Sequence, residues 1–220
     1  MKNIQITVSR GEGQDRTDKT YQLSVEENST VLEALLTIYD TQDSSLAFSH
    51  GCRVSHCGLC VVNVNGKPRY ACIQRISDGA HIEPLYDLPV VKDLVLDREY
   101  FFDYMSKFTP YVIRETPMGD EPETLKEPPE YSTIISGTEC FACLSACPAY
   151  DDNFGGPLGL LKLAQLHNDV RDTLDRVAQT KEMGIENCLS CGHKNCVACI
   201  AGIPLKKMVI DPLLLLIKEK

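Results

Sequence analysis

Eleven cysteines in a chain of 220 residues constrain this fold more than any other feature. That density is tolerated in three settings: disulfide scaffolds, zinc modules and iron–sulfur proteins. The cysteines fall into three groups, four from Cys52 to Cys72, three from Cys140 to Cys147 and four from Cys188 to Cys199. The N-terminus, MKNIQITVSR, has neither an apolar signal core nor a twin-arginine pattern, so secretion is not expected. The longest apolar run, Leu213–Ile217, is far shorter than the roughly 20 residues of a membrane span. In a reducing compartment cysteines serve metals or catalysis, which sets disulfides aside. The net charge of −9 argues against nucleic-acid binding, which needs a basic face to neutralise phosphates.

The length suits two small domains, and 43 % apolar residues can build their cores. In the N-terminal part Ile4, Ile6 and Val8 alternate with polar residues, as do Tyr21, Leu23 and Val25, with GEGQD as the turn of a hairpin. Thr30 and Glu33 form a capping box opening the helical segment VLEALLTIY. A cysteine-bearing loop follows, then a strand Cys60–Val64, the turn Asn65-Gly66 and a return strand ending near Cys72. Residues 115–130, ETPMGDEPETLKEPPE, hold four of the twelve prolines and six acidic residues and read as a linker or surface strap. Beyond it GLLKLAQLHNDVRDTLDRVAQ places Leu160, Leu161, Leu163, Ala164, Leu166, Val170 and Leu174 near a 3.6-residue period, which predicts a helix. The expected fold class is therefore α+β, a small mixed sheet with one helix followed by an all-helical domain. The expected divisions are 1–96, a connection over 97–130, and 131–220.

Cys52, Cys57, Cys60 and Cys72 are spaced C-x4-C-x2-C-x11-C, and the first three match the plant-type [2Fe–2S] pattern. Small residues in the loop, Gly51, Ser55 and Gly58, allow backbone amides to turn towards sulfur. A zinc knot would come as two tight C-x2-C pairs, which this asymmetry does not supply. His56 reads as a hydrogen-bonding loop residue, since four cysteines are already present and a Rieske centre replaces two of them. Cys140, Cys143 and Cys147 followed by Pro148 give C-x2-C-x3-C-P, the tail of the bacterial ferredoxin run, with Gly137 where the leading cysteine belongs. Cys188, Cys191, Cys196 and Cys199 complete seven thiols, the number for one four-iron and one three-iron cluster. The last four also read as CxxC-x4-CxxC, so a structural zinc site remains open there.

A plant-type [2Fe–2S] domain followed by a helical cysteine-proline domain resembles the iron–sulfur subunits of succinate dehydrogenases and fumarate reductases. The likeness covers nearly the whole chain: GCRVSHCGLCVVNVNGKPRYAC, IEPLYDLPVVKDLVLDREYFF, PYVI, CLSACP and GPLGLLKLAQLHNDVRD. It implies an N-terminal β-grasp ferredoxin domain, a C-terminal helical ferredoxin-like domain, and [2Fe–2S], [4Fe–4S] and [3Fe–4S] clusters. By that resemblance Cys52, Cys57, Cys60 and Cys72 hold the first; Cys140, Cys143, Cys199 and, in place of Gly137, the additional Cys191 hold the second. Cys147, Cys188 and Cys196 hold the third, which becomes [4Fe–4S] if the extra thiol lies close.

The sequence has no Ser/His/Asp set, phosphate loop or dinucleotide fingerprint, so bond-making chemistry is expected elsewhere. The resemblance implies a subunit relaying single electrons between an FAD-containing flavoprotein and a quinone site or membrane anchor, peripheral on the inner, cytoplasmic face of the membrane. The absence of Trp leaves the quinone in question. A subunit of a soluble flavoprotein with a non-quinone partner is the alternative, and a ferredoxin domain fused to a zinc adaptor a third. Phe141, Leu144 and Leu189 are candidates for shielding clusters from water. Lys206 and Lys207 read as a solvated helix start.

Overall fold

The computed structural model describes residues 1–13, 15–115, 117, 119, 126–151, 153–192, 196 and 199–219. These group into two compact units that do not follow chain order: Met1–Arg98 with Thr138–Ser145, and Glu99–Gly137 with Ala146–Lys220. The fold is α+β.

The first unit is built on β1 (Lys2–Glu12) and β2 (Asp15–Val25), paired antiparallel with Ile4 opposite Leu23 and Ile6 opposite Tyr21. The alternation works as expected: Ile4, Ile6, Val8, Tyr21, Leu23 and Val25 are all buried on one face. The GEGQD turn includes Gln14, which lies outside the described residues. Helix α1 (Val31–Thr41) lays Val31, Leu32, Ala34, Leu35 and Ile38 into the core. Its capping box is complete, the Glu33 amide donating to Thr30 Oγ1 at 3.2 Å and the Thr30 amide to Glu33 Oε2 at 2.7 Å. β3 (Val61–Val64) and β4 (Lys67–Tyr70) form a hairpin. Asn65 and Gly66 both take positive φ, 50° and 74°, as the right-handed strand twist demands of a two-residue turn. β5 (His81–Glu83) runs parallel to β1 and antiparallel to β3, giving the order β2-β1-β5-β3-β4. A ribbon of β6 (Val90–Lys92) and β7 (Val95–Leu96) follows. Its buried Asp93 accepts from the amides of Gly11 and Ala47, both at 2.8 Å.

The returning segment 138–145 carries the short helix α4 (Ala142–Ser145). Cys140, Phe141, Ala142, Cys143 and Leu144 are all buried.

The second unit holds α2 (Glu99–Ser106), α3 (Tyr131–Ile134), α5 (Gly156–His167), α6 (Arg176–Glu182), α7 (Asn187–Ser190), a π turn (Lys206–Ile210) and α8 (Asp211–Glu219). The helix expected through residues 159–179 is two helices. Val170 and Leu174 continue the apolar period but are 48 % and 37 % exposed. The chain breaks because the Asp169 carboxylate takes the Arg171 amide at 3.0 Å and its guanidinium at 2.6 Å, competing with the helical backbone. Asp175 then caps α6 through the Ala178 amide at 3.1 Å. Arg176, 0 % exposed, reaches Asp172 at 2.5 Å and the carbonyls of Phe108, Thr109 and Tyr111 at 2.8–2.9 Å. It pins the backbone that precedes the proline-rich strap. Half of that strap, including residues 120–125, lies outside the described residues.

Candidate metal centres

The loop from Gly51 to Cys60 runs into β3, so Cys60 stands at the strand's start. The β3–β4 register sets Val61 opposite Tyr70, and the Ala71 amide bonds the Cys60 carbonyl at 3.1 Å, which brings Cys72 alongside. Within the loop Arg53, Ser55 and Gly58 take positive φ of 61°, 55° and 73°. Left-handed residues interleaved with extended ones turn successive amides to one side and make an anion-binding concavity. Here it faces sulfur. Cys52 Sγ accepts from the amides of Val54 (3.4 Å), His56 (3.2 Å) and Cys57 (3.2 Å). Cys57 Sγ accepts from Cys52 N at 3.4 Å and Cys72 Sγ from Ser55 N at 3.3 Å. The amides of Val54 and Cys57 draw the Cys52 thiol down to about 6, while burial pushes Cys60 up to about 11.

Ser55 and His56 thus serve through their amides. The two glycines have a different role, that of making room. A Cβ on Gly51 would stand 3.2 Å from Cys57 Sγ, and one on Gly58 would stand 2.9 Å from Cys140 Cα. Gly58 therefore lets the segment carrying Cys140 and Cys143 lie directly against the cysteine loop. Arg98 secures that contact. Its guanidinium donates to the carbonyls of Glu139 (2.5 Å) and Gly58 (3.2 Å) and lies 4.7 Å from the centre of the Phe141 ring. Phe141 itself takes φ 65°, a strained value for a bulky residue, between two buried cysteines. Sequence reasoning missed Arg98, and nothing local to DREYFF marks it.

In the second unit Cys147, Cys188, Cys191 and Cys196 line one cavity of about 410 Å³, walled by Pro148, Phe154, Pro157 and Ile210. A single water needs roughly 10–15 Å³, so the thiols face a body far larger than one ion. Among the described residues no group of three or more Cys, His, Asp or Glu closes on a single metal ion. Four thiols gathered around a space of that size suit a polynuclear cluster. Burial pushes Cys188 up to about 12 and raises Cys147, and the nearby thiols reinforce both shifts. Lys206 opposes the shift at Cys188 and lines the cavity while paired with Asp211, so it is more than a solvated helix start. Leu189 lines the cavity too but is 60 % exposed, a poor water shield, whereas Phe141 and Leu144 are fully buried. Cys191, expected alongside Cys140, Cys143 and Cys199, is placed with Cys147, Cys188 and Cys196. Cys199 is half-buried and does not line this cavity.

Residues 4–103 match the family model for the 2Fe-2S iron-sulfur cluster binding domain. One polypeptide of the fumarate reductase (CoM/CoB) of Methanothermobacter marburgensis is 33 % identical over 79 % of this chain and 36 % of its own length. The chain spans less than two fifths of the length of the first curated relatives it matches. The succinate dehydrogenase iron-sulfur subunit of Paracoccus denitrificans is 31 % identical, covering 82 % of this chain and 76 % of that one. In fold, the chain superimposes with a TM-score of 0.84 on a chain of the Mycobacterium smegmatis Sdh1 complex in the apo form, at 23 % identity, over 99 % of this chain and 96 % of that one. With nearly a third of positions shared across three quarters of the Paracoccus protein, this chain belongs to the family of succinate dehydrogenase and fumarate reductase iron–sulfur subunits.

Proposed function

We propose that this chain is the electron-transfer subunit of an oxidoreductase complex, relaying single electrons between an FAD-containing flavoprotein subunit and a quinone site or membrane anchor. The observation that carries the reading is the grouping of cysteines into an amide-lined loop, a buried pair and a splayed four-thiol cavity. We read the first unit as a β-grasp plant-type ferredoxin domain and the helical part as a ferredoxin-like domain, with working divisions at 1–96, 97–130 and 131–220. Cys52, Cys57, Cys60 and Cys72 would hold a [2Fe–2S] cluster, and the seven later cysteines a second and a third. When bound, such clusters supply one-electron redox steps at potentials set by cluster type, charge, hydrogen bonds to sulfur and burial.

The chain's own residues do the rest. The amides of Val54, His56 and Cys57 favour thiolate at Cys52 and would spread negative charge. Phe141 and Leu144 exclude water around Cys140 and Cys143. Arg98 and Gly58 hold that buried pair against the first cysteine loop. Among the described residues no helix is long and apolar enough to cross a membrane, so in this reading attachment to the inner face runs through a partner. A second reading, with a soluble flavoprotein and a non-quinone partner, is favoured by the likeness to a fumarate reductase named for CoM/CoB.

Anaerobic purification from the native cells tests both. A larger flavin-bearing polypeptide should accompany the chain, with roughly nine or ten irons and matching sulfide per chain. A hydrophobic anchor in the same preparation selects the first reading; its absence, with a soluble complex, selects the second. Colourless protein without a paramagnetic signal on reduction, or only about two irons with one zinc per chain, overturns both.

A further inference from the structure

The family resemblance leaves one thiol over. Three cysteines suffice for its third centre, and Cys191 is surplus unless it reaches the place vacated at Gly137. The backbone there has no room for a side chain of its own: a Cβ on Gly137 would stand 2.6 Å from Leu161 Cδ2 and 3.2 Å from Ile203 Cδ1. Cys191 instead lines the cavity of Cys147, Cys188 and Cys196. It sits at the C-terminal boundary of α7, three residues after Cys188. Residues three apart on one helical turn share a face, so the pair presents two thiols to the same side. The spacing is that of Cys140 and Cys143 in the ferredoxin run. Cys196 takes φ 53°, an uncommon conformation for a residue with a Cβ and one found at ligand-holding sites.

We infer that Cys147, Cys188, Cys191 and Cys196 together hold a four-iron cluster, with Cys191 supplying the fourth thiolate, so that the third centre is [4Fe–4S] and not [3Fe–4S]. A three-iron centre is a cube lacking the corner that has no protein ligand; a thiolate at that corner retains the iron. The cavity of about 410 Å³ that the four cysteines line has room for a body of that size. The inference deepens the electron-transfer reading and rests on it.

The test uses the anaerobically purified complex, isotopically enriched in iron, examined by electron paramagnetic resonance and Mössbauer spectroscopy. Cys191→Ala should lose one iron per chain and gain the oxidised-state signal of a three-iron centre. The centre altered should be the one that Cys188→Ala abolishes and Cys140→Ala spares. The [2Fe–2S] signal, which comes from the other unit, gives the internal standard for iron per chain, and far-ultraviolet circular dichroism reports the helices of the second unit in every variant. Should alanine empty the cavity of metal altogether, the nearly isosteric Cys191→Ser repeats the measurement, and loss of that same centre in both variants also supports the assignment. Unchanged iron and spectra in Cys191→Ala overturn it, as does an effect confined to the centre that Cys140→Ala abolishes. Wild-type protein without iron would instead sink the electron-transfer reading, and this assignment with it.

Discussion

The two units gather thiols by different physics. In the first, a loop between a helix and a sheet fixes Cys52 and Cys57 with backbone amides aimed at sulfur, and a five-stranded sheet fixes Cys60 and Cys72. There the amides outweigh burial, and the Cys52 thiol is drawn down to about 6. In the second, Cys188 sits on a four-residue helix, Cys191 just past its end and Cys196 in a left-handed conformation, with burial raising the thiols of Cys147 and Cys188 above their ordinary value. One site is framed by a capped helix and a five-stranded sheet. The other is a set of short turns, each too brief to be stable alone, that a bound cluster would tie together.

Stripping the metal should break the comparison most visibly. After chelation under reducing conditions, limited proteolysis is expected to cut within 187–200 well before 51–72, read by mass spectrometry of the fragments. Equal resistance of the two segments would show that the second site is as preformed as the first. Next in size is Arg176→Met, which leaves Asp172 buried without its partner and frees three carbonyls. The second unit should lose about 3–5 kcal/mol of stability in denaturant unfolding while the [2Fe–2S] signal of the first persists.

Gly58→Val sharpens the comparison from the other side. The backbone strain at φ +73° costs about 1–3 kcal/mol, and the contact with Cys140 adds to it. Gly79→Val has nearly the same φ, +71°, and open space, so the difference between their thermal midpoints isolates the contact. The smallest effect belongs to the helix cap. Thr30→Ala should cost the first unit about 1 kcal/mol in denaturant unfolding. Glu33 is held below the usual carboxylate range chiefly by the Thr30 amide. Its stabilisation is therefore present above its unfolded value of about 4.3 and is lost as pH falls through the lower folded value. Glu33→Gln should flatten that acid limb.

Much of the first unit was legible because its signals are local. The alternation at Ile4, Ile6 and Val8, the Thr30–Glu33 box, the Asn65-Gly66 turn and the spacing of Cys52, Cys57 and Cys60 each lie within a dozen residues. The misread helix shows the limit: Val170 and Leu174 keep the period that marks a buried face, but Asp169 and Asp175 end and restart the helix through bonds that periodicity does not encode. Arg176 looks like a surface cation until the carbonyls of Phe108, Thr109 and Tyr111 are known to lie around it. Cys191 could be counted from the sequence but not assigned, since its neighbours Cys147 and Cys188 are defined by the cavity and not by spacing.

The return of 138–145 to the first unit bears on how the protein is made. When the ribosome has released Arg98, the sheet and α1 are complete in sequence, yet the stretch that covers Gly58 and engages the Arg98 guanidinium is some forty residues from being synthesised. Closing a loop of that length carries a modest and slowly growing entropic cost, so the delay is one of translation and not of energy. During that interval the cysteine loop lacks the segment that packs against Gly58 in the finished chain.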